Sequence, residues 1–152
     1  MSLIIATGSN IQSPLLNLAN AKDKLAAEFK LVAASRIYRS AAVDYENQPD
    51  FFNQVLEFEI PQREPDQVMQ WLLESEKQMG RIRDISRGPR IIDLDILFWG
   101  LETHHTKLVQ IPHPRWVERS FVIRPIQELP FFKTIEKCFT IPTTFQVEAF
   151  PV

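Results

Sequence analysis

Two aspartates, Asp93 and Asp95, stand two residues apart in the otherwise apolar run Ile91-Ile92-Asp93-Leu94-Asp95-Ile96-Leu97-Phe98. Side chains on a strand alternate between faces, so both carboxylates point the same way, with Cα atoms ~6.5 Å apart. Like charges so placed repel each other unless a cation compensates. Mg²⁺ suits such a pair, because it takes one or two protein carboxylates and fills its octahedron with water and substrate phosphates. Arg81, Arg83, Arg87 and Arg90 all precede the pair closely, and guanidinium forks grip phosphate oxygens. One reading is therefore a polyphosphate site. The other is a surface ion-pair array of little energetic worth, and two acids on an apolar strand favour the first.

A second candidate is His113 in Ile111-Pro112-His113-Pro114, placed to donate a hydrogen bond to a phosphoryl oxygen, with Arg115 and Arg119 nearby in sequence. A histidine in a proline-bracketed turn also has an ordinary structural reading. Phe51 and Asn53 share a strand face, and an aromatic beside an amide can stack on a flat heterocycle and read its edge. Taken alone, a Phe at a strand start such as Phe51 reads first as a core residue, and Phe121 carries the same two readings. His104-His105 reads as a solvated loop, and no Cys/His spacing supports zinc.

The elements that must position these groups follow from periodicity. Leu3 to Thr7 reads as a strand stopped by Gly8-Ser9-Asn10, and Ser13-Pro14 as the cap and first residue of a helix to about Phe29 with Leu15, Leu18, Leu25 and Phe29 on its apolar face. Leu31 to Arg39 reads as a second strand. Phe51 to Ile60 reads as a third, with one face more polar, carrying Glu57 and Glu59. Pro65 opens a second helix with Val68, Leu72 and Met79 inward and Gly80 at its end, and Arg90 to Phe98 is the acidic strand. A short helix over 121–128 and an edge strand in the tail complete the pattern. The order βαββαβ predicts an α+β, ferredoxin-like sandwich, a largely antiparallel sheet with helices packed on it.

Bulk properties limit the rest. The 152 residues, 45% of them hydrophobic, suit one domain over 1–152 with a real core, and a net charge of -2 argues against binding nucleic acid or an anionic membrane. A single cysteine, Cys138, excludes an internal disulfide and reads as a small core hydrophobe. No apolar run reaches the ~18 residues of a membrane span and no basic leader precedes one, so a cytoplasmic protein is expected, as a monomer.

Taken together, the chain resembles the 6-hydroxymethyl-7,8-dihydropterin pyrophosphokinases. The likeness runs from Gly8-Ser9-Asn10 through Tyr38-Arg39-Ser40, Gln48-Pro49-Asp50 with Asn53, Glu76 with Gly80-Arg81 and Arg83, and Gly88-Pro89-Arg90 with Asp93-Leu94-Asp95, to Pro112-His113, Arg119 and Phe121. It covers about residues 3–130 and leaves the tail out. The resemblance implies pyrophosphoryl transfer from ATP to the pterin hydroxymethyl group, with two Mg²⁺ ions held by Asp93 and Asp95. It further implies that Glu76, Arg81, Arg83, Arg90, Ile96, Gln110, His113 and Arg119 serve ATP, Arg81 and Arg90 acting catalytically with the aspartates. Ser40, Val43, Phe51, Asn53 and Phe121 would hold the pterin. A relative that binds these ligands without turnover is the alternative.

Overall fold

The computed structural model describes residues 1–42, 47–81 and 89–152. In chain order these form β1 (Ser2–Ser9), α1 (Pro14–Glu28), β2 (Leu31–Ala34), β3 (Tyr38–Ser40), β4 (Phe51–Glu59), α2 (Pro65–Gln78), β5 (Asp93–Trp99), β6 (His104–His105), β7 (Gln110–Ile111), α3 (Ser120–Ile126), α4 (Phe132–Cys138) and β8 (Ala149–Pro151). The main sheet runs β5-β1-β4-β3-β8, with β2 also on β4, and its strands pair antiparallel. This is the expected α+β build with helices on a mostly antiparallel sheet.

The predicted second strand divides in two at Ser35. There the hydroxyl takes a place in the ladder, accepting from Val55 N at 3.0 Å. A side chain that substitutes for a backbone partner breaks the run into β2 and β3, and both remain on β4.

Both faces of the sheet are covered. Leu3, Ile5, Leu56 and Phe58 pack against Leu18, Leu25, Val68 and Leu72 of α1 and α2. On the opposite face Ile4, Val55, Leu97 and Phe98 meet Trp116, Ile123 and Ile135. The face of β4 expected to be more polar is therefore sealed too. Glu57 is buried there, and its carboxylate accepts from the Ser2 hydroxyl at 2.8 Å and from Phe131 N at 3.0 Å. A buried carboxylate needs such donors, and these tie the start of β1 and the approach to α4 to the sheet.

Four further expectations change. Leu15 is exposed, because the buried stripe of α1 is Leu18, Ala21 and Leu25. Ser13 lies in the left-handed region (φ 66°) and its side chain makes no cap bond. Cys138 is exposed at the end of α4 rather than in the core. The acidic strand begins at Asp93, and Leu97 is an extra residue in it, since Ile5 pairs with Ile96 and Ile4 with Phe98. That bulge turns both Leu97 and Phe98 to the same core.

Candidate active site

Strand parity builds the site. In β1, β3, β4 and β5 the residues Gly8, Ser40, Phe51, Asn53 and Asp93 share the face that α3 and α4 cover at its far end, and at the near end they line an open cleft. Ala41, Gln48, Arg90, Arg119 and Phe121 complete it, and the cleft is open to solvent.

One half of the cleft is a slot with aromatic walls. Phe51 enters from the start of β4, and Phe121 from the first turn of α3. Arg90 stacks 5.2 Å from the Phe51 ring centroid and Arg119 5.5 Å from that of Phe121. Two polar atoms here are buried without a hydrogen-bond partner among the described residues, Ser40 Oγ and Asn53 Oδ1. Orphaned buried polar atoms cost free energy, so a ligand that bonds them gains their satisfaction. Gly8 makes the slot possible. A Cβ there would stand 2.6 Å from Asn53 Nδ2, so only glycine lets the amide lie across β1, donating to Thr7 O at 3.4 Å.

The floor of the cleft is knitted by Asn10, which in the sequence ends a strand and belongs to the family likeness without a site role. Its Nδ2 donates to Gln48 Oε1 at 2.8 Å and Pro49 O at 3.0 Å, and its Oδ1 accepts from Arg90 N at 2.9 Å. Three segments distant in sequence thus meet on one buried side chain. Arg90 precedes β5 instead of belonging to it, so the alternation that would have turned it away from the aspartates does not apply.

The other half is ionic. Gly80 adopts φ 96° and closes α2, with Gly80 N bonded to Lys77 O and Arg81 N to Glu76 O, both at 3.0 Å. That turn delivers Arg81 to the acidic strand. Its guanidinium lies 2.7 Å from Asp93 and 3.0 Å from Glu76, while Arg90 reaches the other Asp93 oxygen at 3.4 Å. Glu76 is buried and accepts from Leu94 N at 2.7 Å, which locks α2 to β5.

The two aspartates therefore differ. Burial pushes the Asp93 carboxyl up, but the Arg81, Arg90 and Arg119 guanidiniums outweigh it and hold it below the ordinary range. Asp95 has no ion-pair partner among the described residues. Burial, and then the charges of Asp93 and Glu76, push it up to about 8. A carboxyl so raised is the expected state of a cation site without its cation, and a divalent ion would discharge the repulsion between the pair. Among the described residues no group of three or more His, Cys, Asp or Glu side chains converges to hold a metal. The two aspartates suit an ion that draws its remaining ligands from water and phosphate.

His113 lies beside this pair, its backbone N–H donating to Leu97 O at 3.0 Å and its ring Nδ1 accepting from Arg115 N at 3.2 Å. Burial first, then the Arg119 charge, lowers its pKa to about 4. The ring is neutral at physiological pH, and with Nδ1 accepting, its proton sits on Nε2. Ile96 and Gln110 occupy the flank formed by β5 and β7. The Ile96 side chain is sealed in the core, which leaves only its backbone to a ligand, while Gln110 is exposed. Val43 and Arg83 lie outside the described residues. His104, read as solvated, is bonded to Asp66 at 2.8 Å and anchors the β6–β7 hairpin to the start of α2.

An α+β domain in which a flat aromatic slot opens onto a carboxylate pair ringed by arginines defines a class that joins a planar substrate to a polyphosphate. Residues 4–130 match the model of the 7,8-dihydro-6-hydroxymethylpterin-pyrophosphokinase (HPPK) family. The chain is 35% identical over 127 residues to the 2-amino-4-hydroxy-6-hydroxymethyldihydropteridine pyrophosphokinase of Bacillus subtilis, covering 82% of this chain and 75% of that protein. With the protein of the same name in Aquifex aeolicus it shares 32% over 128 residues, 84% of this chain and 79% of the relative. It is also 34% identical over 129 residues to the folic acid synthesis protein fol1 of Pneumocystis carinii, spanning only 17% of that longer protein. The chain belongs to the HPPK family.

Proposed function

We infer that this protein transfers the pyrophosphoryl group of ATP to the hydroxymethyl oxygen of 6-hydroxymethyl-7,8-dihydropterin, a step of folate synthesis, and releases AMP. The observation that carries the reading is the union of two halves in one cleft. Orphaned Ser40 Oγ and Asn53 Oδ1 sit in the aromatic slot, and the Asp93–Asp95 pair with its arginines lies directly beside it.

In this reading the pterin ring stacks between Phe51 and Phe121, which requires Arg90 and Arg119 to leave those ring faces. Asn53 Oδ1 and Ser40 Oγ take hydrogen bonds from the heterocycle's edge. The triphosphate is the natural destination of the displaced guanidiniums, which grip its oxygens. Arg81 and Arg90 release the oxygens of Asp93 and stabilise the charge that grows as the β-phosphorus is attacked in line by the hydroxymethyl oxygen. Bond formation to that oxygen, whose proton passes to solvent water, is matched by cleavage of the link between the α- and β-phosphates, and AMP departs. His113 donates from Nε2 to a phosphate oxygen without adding a titrating charge. Asp93 and Asp95 hold two Mg²⁺ ions, which supply charge neutralisation on the triphosphate. The backbone at Ile96 and Gln110 meets the adenine.

The reading takes residues 1–152 as one domain, a cytoplasmic monomer. Its cores share a single sheet, and no helix among the described residues is long and apolar enough to cross a membrane. The test is AMP formation from ATP. AMP is expected only when Mg²⁺ and the pterin are both present, and chelation abolishes it. Tight ligand binding without AMP would instead identify a silent relative, and ADP formation would refute the transfer.

A further inference from the structure

The tail beyond residue 130, outside the family match, returns to the cleft from behind. We propose that residues 143–152 form a brace that holds the two walls of the ring slot in register, with Arg124 and Glu148 as positioning residues for the pterin. This rests on the pterin reading of the slot. One wall carries Ser40 and Ala41 at the end of β3, and the other carries Phe121 at the start of α3. β3 has three residues held on one side by β4, and α3 has seven packed on the sheet through Val122, Ile123 and Ile126, so a direct tie between the two short elements adds to what each has alone.

Three consecutive tail residues join the walls. Val147 O accepts from the Ser120 hydroxyl at 2.6 Å, immediately beside Phe121. Glu148 takes a two-pronged grip from Arg124, with Nε to Oε1 at 2.9 Å and Nη2 to Oε2 at 3.1 Å, and the same Nη2 donates to Thr143 O at 3.0 Å. Ala149 then pairs with Ser40 in the sheet, followed by Phe150 with Arg39 and Pro151 with Tyr38. Val152 N closes the strand on Ile37 O at 2.9 Å. Ala149 is buried, while Phe150 and Pro151 are exposed, so β8 is seated through Ala149 and its backbone pairing. Arg124 also stacks 5.1 Å from the Phe145 ring centroid, which seats the tail on the core under α3. A chain that bonds α3 and β3 within three residues transmits any shift of one wall to the other.

The test uses Arg124→Gln, Glu148→Gln and, as a smaller change, Ser120→Ala in the full chain. Steady-state kinetics should show KM for the pterin raised about fivefold by loss of the Arg124 grip, with KM for ATP and kcat unchanged. Backbone amides of Ser40 and Phe121 should exchange faster with solvent. A purely structural role would lower Tm and leave both KM values alone, and that outcome overturns the proposal, as does an equal rise in both KM values. The exchange measurement does not depend on turnover. If the unaltered protein releases no AMP the functional reading fails, while unchanged protection at Ser40 and Phe121 in the variants would still refute the brace.

Discussion

Asp95 offers the sharpest quantitative prediction. Its carboxyl stands at about 8 in the metal-free protein against 3.8 for a free aspartate. At pH 7 it is then about nine-tenths protonated, at pH 8 about half, and at pH 9 about one-tenth. Binding a divalent ion requires the ionised form, so uptake of the preformed Mg²⁺ complex of an unreactive ATP analogue should release about 0.9, 0.5 and 0.1 proton at those pH values. Affinity should rise about tenfold per pH unit well below pH 8 and level off above it. Calorimetry in buffers of different ionisation enthalpy measures the release, and Asp95→Asn supplies the baseline. The stability sign is also fixed. The unfolded chain ionises Asp95 near 3.8 and the folded chain resists until about 8, so the folded state binds more protons between these values and its stability falls as pH rises through that window. In chelator at pH 8, Asp95→Asn should therefore melt above the parent while lacking turnover. Equal proton release by parent and variant across pH 7 to 9 would refute the reasoning.

Phe121→Ala should weaken pterin binding by about 1 kcal/mol or more and leave ATP affinity unchanged, read by calorimetry with each ligand. Gly8→Ala drives a Cβ to 2.6 Å from Asn53 Nδ2, so it should cost about 1 to 3 kcal/mol in denaturant unfolding and weaken the pterin by displacing that amide. His113 should titrate near pH 4 by NMR. Its folded pKa is depressed, so the stability it contributes is present above about 6.5 and is lost as pH falls towards 4, and a midpoint near 6.5 would contradict the buried neutral ring.

Much of the site was legible in the chain because period-two alternation is a local property. It set Asp93 with Asp95 and Phe51 with Asn53 before any topology was known. What alternation could not supply was the effect of its interruptions. Arg90 lies ahead of the strand instead of within it, Leu97 is an added residue, and Ser35 divides one strand into two, each change depending on a partner far away in sequence. The burial of Glu57 was hidden for the same reason, since it requires a second helical layer from the tail. Asn10 and Gln48 stand out in the chain as turn residues and as parts of the family likeness, with no role at a site, and Ala41 carries no signal of its own. Their place at the cleft appears once β1, β3 and the approach to β5 converge. The unequal charge states of the two aspartates follow from arginines on separate elements, which spacing alone does not assign.

The central claim is that two phosphates move together onto the pterin from a nucleotide held at Asp93 and Asp95. Phosphorus NMR of a completed reaction tests it most directly. The account predicts AMP and a pterin product in equal amounts, the product showing two mutually coupled phosphorus signals from an intact pyrophosphoryl unit. A single-phosphorus pterin ester accompanied by ADP, or free pyrophosphate with unmodified pterin, would contradict it.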